Sequence, residues 1–379
     1  MRGEEVLNFD FIVVGAGIAG ASAAAELADG YRVALIERES RPGYHTTGRS
    51  AAVYLKSYGN AVIKAMTAAS EAFYHNPDKG FSEVPLLHPR GMIMIARQDQ
   101  LHRVEEELTP VLPFVADARR LDGDEIRAFV PQLRKDYVAG GFLDPQAEDM
   151  DVDAILQGFL RRFRKRGGQL LTDSELTGLE AEDDGWRMTT RGGELVAPVV
   201  INAAGAWADE VAKLAGLDPL GLIPKRRTAF IVDPPKDTGC AGWPVIADID
   251  EQFYFRPESG GLFCSPADET PSPPCDAQPE ELDVAIAADR IMKALDIEIR
   301  HIRRSWAGLR TFAPDKTPIV GFDPRARGFF WLAGQGGYGI QTAPAMAALS
   351  AALASGTSQT RIAGDIVEAM NPQRLIDSR

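Results

Sequence analysis

The apolar run Phe9-Asp10-Phe11-Ile12-Val13-Val14 leads straight into Gly15-Ala16-Gly17-Ile18-Ala19-Gly20, and no other stretch limits this chain's fold so tightly. A short β-branched run stopped by glycine reads as a buried strand. The glycines stand at G-x-G-x-x-G spacing, and each has a physical job. Gly15 allows a tight turn, Gly17 lets the backbone approach a pyrophosphate, and Gly20 lets helix and strand pack closely. The small residues at 21–27 read as a helix, whose N-terminus offers free N–H groups to phosphate. A second strand at 31–36 ends in Glu37, about 20 residues on, where an acid that holds ribose hydroxyls is expected. The bland alternative is a glycine-rich turn with no ligand, but strand, turn, helix, strand and acid in this order favour a dinucleotide site.

At 379 residues the chain exceeds the size at which one core keeps growing, so two domains are expected. A net charge of −13 argues against a nucleic-acid partner. It leaves room for a small anionic substrate held by a local arginine pair. Cys240, Cys264 and Cys275 have no metal-site or disulfide spacing, no metal is expected, and a reducing cytoplasm fits. The start, Met1-Arg2-Gly3-Glu4-Glu5, lacks a signal-peptide pattern, and no apolar run is long enough to span a bilayer. The expectation is a cytoplasmic protein, with peripheral association to the inner membrane face left open.

Residues 38–52 form a long polar loop rich in Gly, Ser and Thr, suited to lie along an extended cofactor. A helix is expected at 61–74. Strands at 92–96 and 137–143, a charged helix at 99–112, and a capping box at Asp122-Gly123-Asp124-Glu125 read as part of an inserted domain. Asp151 caps an amphipathic helix that ends in the basic run 161–166 and Gly167-Gly168, cations matching a helix C-terminus. Strands at 169–172, 176–181 and 186–190 suggest a small meander. They precede the buried strand 199–202 and the small residues Ala203-Ala204-Gly205-Ala206, which would let a cofactor come close.

A β-rich block follows from 226, with a turn at 258–261, a Pro-rich surface loop at 269–279, a helix at 285–295, and strands at 298–302 and 305–310. Finally, the strand 329–334 runs into Gln335-Gly336-Gly337-Tyr338-Gly339-Ile340-Gln341 and a small-residue helix. His45, His75, His88, His102 and His301 show no metal or triad spacing, and only His45 lies in the expected cofactor loop. The class is α/β: an interrupted dinucleotide domain with a mainly antiparallel one interleaved.

Taken together, several segments resemble the FAD-dependent D-amino-acid oxidase superfamily. These are Val13 to Gly20, Glu37, Thr47-Gly48-Arg49-Ser50-Ala51-Ala52, Val200-Ile201-Asn202-Ala203-Ala204-Gly205-Ala206-Trp207, Trp306-Ala307-Gly308-Leu309-Arg310 and the 335–341 turn. Pro224-Lys225-Arg226-Arg227-Thr228-Ala229-Phe230 and Phe253-Tyr254 make the chain look most like the bacterial D-arginine dehydrogenase branch. The resemblance implies a glutathione-reductase-like Rossmann domain for FAD (1–80, 145–223 and 313–379) and an α+β substrate domain (81–144 and 224–312).

It also implies noncovalent FAD, with Gly15, Gly17, Ala19 and Gly20 at the pyrophosphate and Glu37 and Arg38 at the ribose. Thr46, Thr47, Gly48, Arg49, Ser50, Ala51 and Ala52 would lie along the flavin, with the Leu176 backbone at adenine and Gly205 close to the cofactor. Gly336, Gly337, Tyr338, Gly339, Ile340 and Gln341 would edge the flavin ring. Arg310 would grip a substrate carboxylate, since a planar guanidinium matches it in a fork. Tyr254 would add a hydrogen bond, Arg227 would stand near, Gly337 would offer a carbonyl to the amine, and Tyr58 would gate the site.

Members acting on cationic side chains carry a carboxylate where this chain has Met92, and a histidine where it has Val53. With Gln341 and Gly337 these would line the substrate pocket. The expected reaction is oxidation of D-amino acids with neutral, mainly apolar side chains to imino acids and then 2-oxo acids, by hydride transfer from Cα to the flavin. Dioxygen or a quinone would take the electrons. A glycine/sarcosine-type amine oxidase, a non-catalytic FAD-binding subunit and an NAD-linked enzyme are the rivals. No cysteine lies near Thr317 or Gln335, so the covalent link of sarcosine oxidases is not expected.

Overall fold

Phe11–Val14 lies inside a six-stranded sheet, in the order Gln169–Leu171, Val33–Ile36, Phe11–Val14, Val199–Asn202, Phe329–Ala333, Ile319–Phe322. All neighbours are parallel except the last pair. The computed structural model describes residues 6–235, 239–258, 260–358 and 362–377; residues 1–5, and Ser259 of the expected 258–261 turn, lie outside them. Every residue of Phe11–Val14 and Val33–Ile36 is buried. A strand covered on both faces needs apolar side chains throughout, which is why these runs do not alternate.

One face of this sheet packs against the helices Ile18–Leu27, Val152–Lys165 and Gly339–Ser355. The small residues Ala21, Ala23, Ala24 and Ala25 bring the first of these close. The other face meets Trp186, Met188 and Leu195 of a four-stranded sheet. That sheet corrects the expected meander. Gln169–Leu171 leaves it for the edge of the parallel sheet, and Gly193–Ala197 replaces it, with Leu7–Asn8 alongside. A glycine pair ends the Val152–Lys165 helix, and the next strand folds back parallel as a βαβ crossover does.

The blocks 81–144 and 224–312 join in one ten-stranded sheet. Its main path runs Gln335–Gly336, Ile302–Phe312, Ile223–Val232, Gly261–Ser265, Tyr254–Glu258, Val245–Asp248, Met92–Ala96, Gly140–Asp144, Arg119–Asp122, and Thr270–Pro271 pairs with Ile223–Val232. The single parallel pair on that path, Val245–Asp248 with Met92–Ala96, joins the two blocks. Of the strand expected at 298–302 only Ile302 is strand; it opens the single strand Ile302–Phe312, which contains the one expected at 305–310. The charged helix stops at Leu108: Thr109 still has helical angles and its N–H bonds the Glu105 carbonyl, but Pro110 has no N–H to make the next such bond.

Capping follows expectation. Asp122 accepts from Asp124 and Glu125 N–H in a capping box, and Asp151 accepts from Ala154 N–H. The basic run does more than complement its own helix. Arg162 pairs with Glu26 and Asp78, and Arg166 donates to the Ala25 carbonyl at 2.6 Å, so the run fastens this helix to the end of the first one. The three cysteines are free. Among the described residues no helix is long and apolar enough to cross a membrane.

Candidate active site

The strands Phe11–Val14, Val33–Ile36 and Val199–Asn202 run towards an elongated cleft of about 340 Å³. Its floor is backbone. Gly15 has φ +99°, and a Cβ there would stand 2.7 Å from the Ala203 carbonyl oxygen. A Cβ on Gly20 would lie 1.9 Å from the Gly15 carbonyl oxygen, so this glycine packs under the turn rather than facing the cleft. The Ile18 N–H donates to Thr47 Oγ1 at 3.0 Å. Ala21 N–H finds the Gly17 carbonyl at 2.9 Å. The N–H groups of Ala19 and Gly20 precede that bond and have no carbonyl inside the helix.

Glu37 lines the cleft with its carboxylate fixed: Oε2 accepts from Ala16 N–H at 2.9 Å and Oε1 from Glu39 N–H at 3.0 Å. Burial raises its pKa, and those two N–H groups only partly offset the rise. Beside it, Arg38 lies 5.0 Å over the Trp207 ring, which packs against His45 at 4.7 Å. Leu176, Gly205, Thr46, Thr47, Ser50, Ala51 and Ala52 also line the cleft. So do His45, Arg227, Thr311 and Gln335, each carrying one buried side-chain atom (Nδ1, Nε, Oγ1 and Nε2 in turn) with no hydrogen-bond partner among the described residues. Orphaned buried polar atoms are costly. A long ligand with polar atoms along its length, as FAD has, suits a cleft with such atoms in its wall.

The 46–53 loop is stitched to the antiparallel sheet. Thr46 Oγ1 donates to the Leu309 carbonyl at 2.7 Å, and Trp306 Nε1 donates to the Arg49 carbonyl at 3.0 Å. The Arg49 guanidinium donates to the Ala277 and Ala307 carbonyls, each at 2.9 Å, and pairs with Asp276. Its charge is spent on the protein, so Arg49 serves the cleft by holding the loop in place. Gly48 does not line the cleft. Its N–H bonds the Gly43 carbonyl, and a Cβ there would stand 2.5 Å from that oxygen.

A second cavity, about 380 Å³, shares Ala51, Ala52, Arg227, Tyr254, Arg310, Gly337 and Ile340 with the cleft. The two spaces therefore meet at the expected clamp. Lys225 stands opposite Arg310 and Arg227 opposite Gly308 in the strand register. Opposed residues share a face, so Lys225, Arg227 and Arg310 emerge on the same side. The Arg310 guanidinium lies flat on Gly337, where a Cβ would come within 3.0 Å of its Cζ. Among the described residues it has no hydrogen bond or ion pair within reach. Burial alone would lower its pKa, but the hydroxyls of Tyr58, Tyr254 and Tyr338 and the Glu269 carboxylate turn the balance upward, keeping it a cation.

Arg227 reaches Glu269 at 3.4 Å, and its buried Nε has no partner. Burial pushes the Tyr254 hydroxyl up, yet the Arg227 and Arg310 guanidiniums outweigh it and hold that hydroxyl below the usual tyrosine range. Tyr58 lines the second cavity and packs on Tyr338 at 4.9 Å, while Tyr338 itself lines neither space.

The cavity wall carries Val53, Met92, Met94, Phe142 and Val245. Asp144, opposite Met92 on the adjacent strand, lines it as well. The wall therefore has a carboxylate that Met92 alone does not suggest. One Asp144 oxygen accepts from Gln146 N–H at 2.9 Å, and burial raises its pKa. The Gln341 amide is occupied by Leu55 N–H at 3.3 Å and Thr67 Oγ1 at 2.8 Å, so it shapes the cavity without a free donor or acceptor to lead with. Sequence reasoning missed Trp207, Thr311, Gln335 and Asp144 as site residues. The small-residue strand end before Trp207 and the glycine turn that Gln335 opens were the local signals for two of them.

The FAD dependent oxidoreductase (DAO) family model matches residues 10–353. The chain is 29% identical over 245 residues to L-2-hydroxyglutarate dehydrogenase of Escherichia coli, covering 60% of this chain and 54% of that protein. It is 25% identical over 357 residues to mitochondrial dimethylglycine dehydrogenase of Rattus norvegicus, covering 87% of this chain and 41% of that protein. This chain thus spans about half the length of the curated relatives it matches. The fold is like that of glycine oxidase from Geobacillus kaustophilus, with a TM-score of 0.82, 21% identity, and 94% of this chain and 96% of that one covered.

Proposed function

Because the chain belongs to the DAO family of FAD-dependent oxidoreductases, we propose that it oxidises D-amino acids with neutral, mainly apolar side chains to imino acids, which water converts to 2-oxo acids and ammonia. One observation carries the reading: the Arg310 cation, unpaired among the described residues, stands where the cleft and the second cavity meet. A half-buried cation without a counter-ion favours an anion from solution. A substrate carboxylate would lie in the Arg310 fork, with the Tyr254 hydroxyl and Arg227 beside it. That grip fixes where Cα sits, and orientation is the main thing a protein adds to such a reaction.

FAD, when bound, supplies the acceptor for the hydride leaving Cα. Glu37, Gly15 and Gly17, the Ala19 N–H at the start of the helix, the 46–52 loop, Leu176, Gly205 and the 336–341 turn would hold it noncovalently. The Gly337 carbonyl would accept from the substrate amine. Tyr58, on the cavity wall against Tyr338, would control entry. The apolar wall of Met92, Met94, Val53 and Phe142 suits an apolar side chain, and the likeness to the D-arginine dehydrogenase branch rests on the sequence motifs given above.

A second reading, glycine/sarcosine-type oxidation of small amines, is favoured by the names of two proteins the chain is similar to, dimethylglycine dehydrogenase and glycine oxidase. A cavity of about 380 Å³ is generous for such a small molecule. Anaerobic mixing of the holoenzyme with a panel of amines separates the two. We expect D-leucine, D-methionine and D-phenylalanine to bleach the yellow chromophore faster than D-arginine or N-methylglycine. A higher kcat/KM for D-arginine removes the preference for neutral side chains, and a higher one for N-methylglycine than for D-alanine favours the second reading. Peroxide on readmitting air assigns dioxygen as acceptor; its absence points to a quinone.

A further inference from the structure

We propose that Glu269 is an internal counter-ion filling a second anion subsite beside the clamp, so that the site accepts substrates with one carboxylate and turns away those with two. The inference rests on the clamp reading above. Three cations, Lys225, Arg227 and Arg310, share one face of the paired strands. Among the described residues one carboxylate answers them. Glu269 Oε2 meets Lys225 Nζ at 2.9 Å, and Oε1 meets Arg227 Nη2 at 3.4 Å. A lysine on one oxygen and an arginine on the other is also how a substrate carboxylate would be received there.

Glu269 is placed deliberately. On one side of it, Thr270–Pro271 pairs with Arg226 and Lys225 of the strand. On the other, Asp268 accepts from Thr228 N–H at 2.6 Å and from Thr228 Oγ1 at 3.0 Å. Ala267, at φ +54°, lines the second cavity. The segment is thus tied to the strand at both ends, with Glu269 held between. Burial pushes the Glu269 carboxyl up, but Lys225, Arg227 and Lys316 outweigh it and keep the group ionised at neutral pH.

Charge arithmetic then decides what fits. Three cations less Glu269 leave an excess of two on that face. One substrate carboxylate reduces it while Glu269 stays in place. A second would have to sit against Glu269 or push it out, and like charges in contact discriminate strongly. With Glu269 neutral, Lys225 and Arg227 would offer that second carboxylate a ready seat.

The experiment compares propionate and malonate as competitive inhibitors of the FAD-loaded protein, with the flavin absorbance change on binding as a second readout. In E269Q we expect malonate to bind about tenfold tighter or more, while propionate shifts less than about threefold. E269D, which keeps the charge, is expected to hold the wild-type ratio and shows that the position tolerates change. An unaltered malonate-to-propionate ratio in E269Q, or equal weakening of both, overturns the proposal and leaves Glu269 a strand-packing residue. Propionate that neither inhibits nor perturbs the wild-type flavin overturns the clamp and this inference with it. Propionate that does both, with an unmoved ratio, overturns the inference alone.

Discussion

The cleft and the cavity beside it are built from different materials. The cleft is mostly backbone: glycines at a turn, the start of a helix, a loop of small residues, and Glu37 pinned by two N–H groups. The cavity is mostly side chains, brought together from strands that lie far apart in the chain. A site made of backbone suits a ligand common to a whole family, because single substitutions change it little. A site made of side chains can be retuned by one residue. The comparison predicts that substitutions in the cavity change which substrate reacts, whereas those in the cleft change how tightly the cofactor is held.

The sharpest break would come at Arg310. Replacement by lysine keeps a charge but loses the planar fork. We expect R310M to lower kcat/KM for D-leucine by about 10³-fold, as expected for loss of one partner of a desolvated ion pair. R310K should recover only part of that. FAD content, read from the ratio of flavin to protein absorbance, should stay at the wild-type level in both. If R310M lost the flavin along with the activity, cavity and cleft would not be separable in the way their construction suggests.

Glu37 tests the other side. Its glutamine variant retains one acceptor oxygen, so one of the two N–H bonds should survive. We expect the dissociation constant for FAD, measured by flavin fluorescence, to rise about tenfold, the cost of roughly one hydrogen bond to a charged group. KM for the amino acid should move little once the protein is saturated with cofactor. The variant should also change the pH dependence of stability. Burial raises the pKa of Glu37 above its ordinary 4.5, so the unfolded chain ionises first. The carboxyl thus favours the fold below 4.5 and loses that contribution as pH rises through the higher folded value. Apoprotein carrying E37Q should lack this component, and its Tm should fall less than that of wild type over the rise from pH 4.5. Parallel Tm profiles would mean that Glu37 ionises as easily folded as unfolded.

The same contrast explains what was legible in the sequence. The cleft follows contiguous strings, so Gly15 to Gly20 and Glu37 could be read from spacing and the 38–52 loop from its small polar composition, while the resemblance placed its 46–52 part along the flavin. Arg310 and Tyr254 needed a family resemblance, because nothing local separates a clamp from an ion pair on a sheet. Other features depend on pairings across the chain. Glu269 fell within a stretch that reads as Pro-rich surface loop, and only the pairing of Thr270–Pro271 with Ile223–Val232 turns it towards Lys225 and Arg227. Gln169–Leu171 looked like its neighbours in sequence, yet joined a different sheet. Periodicity says that a segment is a strand and which residues share its face; it does not say which strand lies beside it.

Asp144 is the clearest case, and it carries the smallest expected effect. Met92 and Asp144 are separated by about fifty residues but stand opposite each other across a strand pair. Reading Met92 alone predicts a wall with no charge for a cationic side chain; the pair predicts a weak one. Asn at 144 would keep the oxygen that accepts from Gln146 N–H, so the turn should hold, and only the charge would go. In D144N we expect kcat/KM for D-arginine to fall about fivefold and that for D-leucine to change less than about twofold, a difference near 1 kcal/mol. The effect is small because that oxygen is already engaged and burial opposes the charge. A D-arginine to D-leucine ratio that did not move would return Asp144 to the turn, and the discrimination would then fall to the other side chains of the cavity wall.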